Sequence, residues 1–235
     1  MEHAVFFPVN EQSLLIEFGT ESSEKLRGRI RQFTDLLDQQ NYPWLVEYIP
    51  AFTNITLIFN LLYFKDKPEQ SHLLIQNELE KLLAEIGEEA PVSENSSLVR
   101  IPVCYEDDFG MDLDEVASLN GLTKEEVIRL HTEREYPVYM IGFSPGFPYL
   151  GGMNNKIAAP RKGKPRSKIP AGSVGIAGTQ TGVYPMETPG GWQIIGRTPL
   201  SLFNPENEPP TLLQAGDSVE FYPISREEYY RLKES

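Results

Sequence analysis

The sequence predicts an α+β protein in two parts. A small α/β sandwich domain with element order ββαββα covers residues 1–90, and a strand-rich domain covers residues 98–235. Three observations carry this prediction. Apolar residues alternate at Leu14, Ile16, Phe18 and again at Ile55, Leu57, Phe59, the period of a half-buried strand. They recur at helical spacing at Leu26, Ile30, Phe33, Leu37 and at Ile75, Leu79, Leu82, Leu83, Ile86, giving two amphipathic stripes. Beyond Tyr136 short apolar runs are cut by glycine and proline turns, which suggests a barrel or a sandwich.

Taken in order, strands near Val5–Val9 and Trp44–Ile49 complete the first part, with both helices on one face of a mostly antiparallel sheet. Gly87–Ser97 is polar, holds a proline and lacks periodicity; residues 91–97 read as a linker. Leu98–Val103 opens the second part as a strand. Two short helices follow, with Asp112-Leu-Asp-Glu115 and Thr123-Lys-Glu-Glu126 as capping boxes and Gly121 as the stop between them. Further strands are expected at Tyr136–Ile141, Ser173–Ala177, Gly182–Tyr184, Trp192–Ile195 and Ser218–Tyr222, before a terminal amphipathic helix from Ser225.

A net charge of −13 argues against nucleic acid or an anionic membrane as a partner, since phosphate binding needs a basic face. The start, Met1 to Pro8, has neither the basic region nor the apolar run of a signal peptide. No stretch approaches the roughly 20 apolar residues that span a bilayer. A cytoplasmic protein is the expectation. Cys104 stands alone and reads as a buried, inert thiol. His3, His72 and His131 are scattered, so no dedicated metal centre is expected.

One stretch differs from the rest. Tyr136–Met186 contains no Asp or Glu, yet holds Lys156, Arg161, Lys162, Lys164, Arg166 and Lys168. Such segregation costs self-repulsion unless an anion or an acidic surface compensates it. Twelve of the 18 glycines fall between Gly142 and Gly196, and nine of the 19 prolines between Pro137 and Pro199. Stiff loops rich in backbone N–H donors beside fixed cations suit a carboxylate or a phosphate.

Known motifs fit this stretch poorly. Gly142-Phe-Ser-Pro-Gly146 spells a nucleophile elbow, but Pro145 lacks the N–H that should serve the oxyanion, and no histidine follows His131. Gly172–Gly178 has the wrong spacing for a dinucleotide fingerprint, and Gly163-Lys164 lacks the rest of a Walker site. His131 falls at a helix end, where a structural role is preferred to a general acid/base one. Trp192 packs in a core or walls a ligand; Gln180, Thr181 and Tyr184 supply hydrogen bonds or cap strands.

The run Tyr139-Met-Ile-Gly-Phe-Ser-Pro-Gly-Phe-Pro-Tyr-Leu-Gly-Gly152 resembles a signature of the family that holds allophanate hydrolase subunit 1, the kinase inhibitor KipI and the B-type component of 5-oxoprolinase. So do Pro160-Arg161, Pro165-Arg166, Ile169–Gly178, Gln180–Pro185, Pro189–Pro199 and Leu202–Pro205, in family order. The match covers roughly Leu98 to Phe221. The first part fits more loosely, with Asn10-Glu11-Gln12 where a Gly-Asp pair is expected.

The resemblance implies a cyclophilin-like β-barrel as the second domain, and work as one subunit of a larger enzyme. With the A and C components of a 5-oxoprolinase, such a chain would open 5-oxo-L-proline to L-glutamate, driven by ATP with Mg2+. Two alternatives come with the family: inhibition of a sporulation histidine kinase, and a place in a urea- or allophanate-processing complex. Arg161, Arg166 and Arg197 are the expected anion contacts. Ser144, Ser173, Gln180 and Tyr184 are candidates for orienting substrate, Gly190 and Gly191 for allowing close approach, and Trp192 for an aromatic wall. Candidates for the catalytic groups are His131, Ser144 and Glu187; with no other acid nearby, a site completed at a subunit interface is suggested.

Overall fold

A computed structural model describes residues 4–20, 23–86 and 97–234. The chain divides into two compact units, Met1–Asn95 and Ser96–Ser235. The expected linker 91–97, apart from Ser97, lies outside the described residues.

In the first unit β1 (Val5–Asn10), β2 (Ser13–Glu17), β3 (Leu45–Pro50) and β4 (Asn54–Phe59) form an antiparallel sheet in the order β1-β2-β4-β3. Helix α1 (Glu24–Gln40) follows β2, and α2 (Ser71–Glu85) follows β4 after two 3-10 turns. Ser23 caps α1 by accepting from the Leu26 N–H, and Asn41 ends it in the left-handed region at φ 48°. The alternating residues Leu14, Ile16, Ile55, Leu57 and Phe59 meet the helical stripes Phe33, Leu37, Ile75 and Leu79 in one buried core.

In the second unit seven strands close a barrel in the order β10-β7-β6-β13-β5-β12-β9. They are β5 (Leu98–Cys104), β6 (Glu135–Ile141), β7 (Pro148–Leu150), β9 (Ser173–Ala177), β10 (Gln180–Val183), β12 (Gln193–Arg197) and β13 (Ser218–Ile224). Strands β5 and β13 run parallel in unbroken register from Leu98↔Ser218 to Cys104↔Ile224. Helices α3 (Leu113–Asn120) and α4 (Lys124–Thr132) send Val116, Val127 and Leu130 into the same core as Ile101, Val174, Ile176 and Phe221. Thr123 and Glu126 make both bonds of the expected capping box, and Gly121 ends α3 at φ 64°.

Neighbouring residues of a strand face opposite ways. Thus Ile195 enters the barrel core, while Ile194 joins a separate cluster with Phe147, Ile169, Tyr184 and Trp192. Over that cluster lies a small sheet of β8 (Arg166–Ile169) and β11 (Thr188–Gly190). The terminal helix α5 (Arg226–Lys233), capped by Ser225, adds Tyr229 to a third cluster with Cys104, Phe109 and Ile224.

Two expectations need correction. Strands β7, β8 and β11 escape the sequence pattern because three or four residues are too few to show a period. Asp112 precedes α3 but makes no capping bond, because its carboxylate is engaged elsewhere.

Candidate functional site

The basic stretch is clipped to the barrel along its length. Ala159 and Gly178 exchange two backbone bonds, at 3.2 and 2.7 Å, and the Lys162 N–H donates to the Gly191 carbonyl at 2.7 Å. Gln193 Nε2 donates to the Pro160 carbonyl at 3.1 Å, and Arg166 pairs with Gly190 between β8 and β11. A segment tied at four points is presented as a fixed surface, as its prolines suggested.

Asp112 is the hub beneath this segment. Its side chain is 3% exposed and takes two bonds from Arg166, one from Lys162 at 2.7 Å and one from the Ile194 N–H at 2.7 Å. Burial alone would push this carboxyl up. The bonds from Arg166, Lys162 and Ile194 outweigh it and hold the group below the usual carboxylate range. Lys162 also reaches Glu115, and Lys168 pairs with Glu187 at 2.9 Å across the surface. Half of the six cations are therefore compensated by acids that lie outside the stretch in sequence. Among the described residues Lys156, Arg161 and Lys164 have no ion pair. Arg161 and Lys164 are exposed on the clipped segment.

The remaining candidates fall in several places. Tyr184 and Trp192 are 1% and 5% exposed, and both stand edge-on to Phe147, with centroids 5.4 and 5.5 Å away. They form a packed floor, not an open wall. Burial pushes the Tyr184 hydroxyl up to about 12, with the Trp192 backbone N–H pulling the other way. A Cβ at Gly190 would lie 2.5 Å from that hydroxyl oxygen, so the missing side chain there makes room for Tyr184. At Gly191 the nearest atom would be an ordinary 3.7 Å away, which leaves space. Gln180 opens β10 opposite Ala177, half-buried. Ser173 is fully buried, and its Oγ has no hydrogen-bond partner among the described residues. Arg197, its cross-strand partner, faces Phe109 and Tyr229 and does not join Arg166 at Asp112.

Ser144 lies in the β6–β7 loop, and its Oγ is likewise buried without a partner among the described residues. The preceding Phe143 is 64% exposed and held at φ 66°, a strained conformation for a residue with a bulky side chain. The sequence pattern gives Phe143 no special role, and it reads Asp112 and Glu115 only as the ends of a capping box. The partners of the last two lie some fifty residues away along the chain.

His131 is 0% exposed inside the barrel core. Thr181 donates its hydroxyl to the Gly175 carbonyl at 3.1 Å, so it accepts from His131 Nε2–H at 2.9 Å. That leaves Nδ1 to accept from the Tyr105 hydroxyl at 2.8 Å. Burial depresses its pKa to about 3. This chain of three bonds satisfies a neutral ring and suits holding the core together, not exchanging protons with a bound molecule.

Comparison with known proteins places this geometry in a family. Residues 4–213 match the family model for the carboxyltransferase domain, subdomains C and D. The B component of the 5-oxoprolinase of Bacillus subtilis (strain 168) is 50% identical over 230 residues, covering 96% of this chain and 95% of its own. The protein of the same name from Escherichia coli O157:H7 is 42% identical, covering 95% and 97%. The crystal structure of TTHA0988 superposes with a TM-score of 0.76 at 33% identity over 91% of this chain, which spans 40% of that longer one. The chain belongs to the carboxyltransferase subdomain C and D family.

Proposed function

We infer that this chain is the B component of a 5-oxoprolinase, a cytoplasmic enzyme that opens 5-oxo-L-proline to L-glutamate together with its A and C components. The observation that carries the reading is the near full-length similarity to relatives of that name. On this reading the first unit is the α/β sandwich domain, residues 91–97 are the linker, and the second unit is a cyclophilin-like barrel. The urea- or allophanate-processing alternative has less support, because the relatives of high identity carry the oxoprolinase name.

The clipped segment is the proposed substrate face. Exposed Arg161 and Lys164 attract the carboxylate of 5-oxoproline, with Gly191 leaving room for it. The Ser144 Oγ is buried in the β6–β7 loop and is not assigned to this face. Arg166 acts here through Asp112, fixing the segment, and is a positioning residue. A lactam is a poor electrophile, and its opening is proposed to draw on ATP with Mg2+. Among the described residues no three His, Cys, Asp or Glu side chains come together to hold a metal ion by themselves, and Gly163-Lys164 lacks the rest of a Walker site. ATP and Mg2+ are proposed to bind the A and C components, which are also proposed to supply the base, since Glu187 pairs with Lys168 at the surface.

Exposed, unpaired cations would equally meet an acidic protein surface, which favours inhibition of a histidine kinase as the second reading. Co-purification with candidate A and C components, with glutamate release followed in the mixture, separates the two.

A further inference from the structure

A second set of cations converges on the barrel unit, away from Asp112. Arg197 at the end of β12, with Arg226 and Lys233 at either end of α5, lines a pocket of about 220 Å³ with Phe109, Tyr229 and Tyr230. The guanidinium carbons of Arg197 and Arg226 sit 5.5 and 5.3 Å from the centroid of the Phe109 ring. Lys233 Nζ lies 5.9 Å from the centre of the Tyr229 ring.

Stacking accounts for the packing of these groups but leaves their charge. Arg226 pairs with Asp107 at 3.1 Å, whereas Arg197 and Lys233 have no acidic partner among the described residues. Asp108 also lines the pocket, with no cation in ion-pair range among the described residues. The Nε atoms of both Arg197 and Arg226 are buried without a hydrogen-bond partner among those residues. Converging cations repel one another, and buried donors without acceptors are costly. One bound acceptor of negative charge in the pocket offsets that repulsion. The pocket is smaller than the roughly 300 Å³ at which drug-sized sites begin, so a whole nucleotide is too large.

We propose that this pocket binds a small oxyanion, a phosphoryl or carboxylate group on a molecule of a few heavy atoms, at a site separate from the Arg161 face. Guanidinium groups match the paired oxygens of either ion, and the two tyrosine hydroxyls supply further donors. Asp108 adds a place for an ammonium group, should the carboxylate belong to an amino acid.

Calorimetric titration of the full chain with inorganic phosphate, and separately with L-glutamate, at ionic strength held constant with sodium chloride, tests the proposal. Saturable binding of at least one is expected. Arg197→Gln and Lys233→Gln should each weaken it about tenfold or more, the scale of a lost charge-assisted bond. Lys233 is exposed, so its variant keeps the test valid if Arg197→Gln fails to fold. Phosphate alone would name a phosphoryl ligand, and glutamate alone a carboxylate. No binding of either, or binding lost in Arg161→Gln and kept in both pocket variants, overturns the proposal.

Discussion

The guanidinium of Arg166 grips the carboxylate of Asp112 through two parallel bonds, 2.8 Å from Nη1 to Oδ2 and 2.6 Å from Nη2 to Oδ1. The same carboxylate takes the Ile194 N–H of β12, so one buried acid ties β8 to the barrel. Asp112→Ala should therefore leave a cation and a backbone donor without partners. A loss of about 3 kcal/mol is expected, within the range for a broken buried pair, read by urea denaturation. Arg166→Ala should cost less, because 28% of its side chain is in water.

Arg161 is the contrast. It is exposed and unpaired among the described residues, so Arg161→Ala should change stability by no more than about 0.5 kcal/mol. In the assembled enzyme it should raise KM for 5-oxoproline about tenfold or more. Thermal melts and steady-state kinetics on the same preparation separate the two effects.

His131 gives the fold an acid limit. Its folded pKa of about 3 lies below the ordinary value of 6.5. As pH falls through 6.5 the unfolded chain takes up a proton that the folded chain refuses. The contribution of this group is whole above pH 6.5 and declines steadily toward pH 3. Between pH 6.5 and about pH 5 the parent protein should lose about 2 kcal/mol more than His131→Gln, measured by urea unfolding at both values.

Gly190 is tested by a single methyl group. The Cβ of Gly190→Ala would come within 2.5 Å of the Tyr184 hydroxyl oxygen and 2.6 Å of Ile169 Cδ1, both buried. A loss of about 1–3 kcal/mol is expected from overpacking. Gly191→Ala meets nothing closer than 3.7 Å and should leave stability nearly unchanged while lowering activity.

What the sequence revealed followed its range. Leu14 with Ile16 and Ile75 with Leu79 show their periods within a few residues, so the sheet and helices of the first unit are legible. The Thr123 box closes over three residues and is equally plain. Asp112 carries the same local signal and does something else, because Arg166 stands 54 residues away and offers a stronger bond than a helix N–H. Distance along the chain also hid the split among the arginines. Arg161, Arg166 and Arg197 look alike in sequence, yet one is exposed, one holds Asp112 and one stacks on Phe109. The role of Tyr184 and Trp192 as a floor depends on Phe147, which no local pattern connects to them.

The most direct test of the proposed activity is glutamate release from 5-oxoproline with ATP, measured for this chain alone, for the A and C components alone, and for all three together. Turnover is expected only in the complete mixture, with a sharp loss when Arg161→Ala replaces the parent chain. A stable three-part complex that leaves 5-oxoproline intact would contradict the assignment.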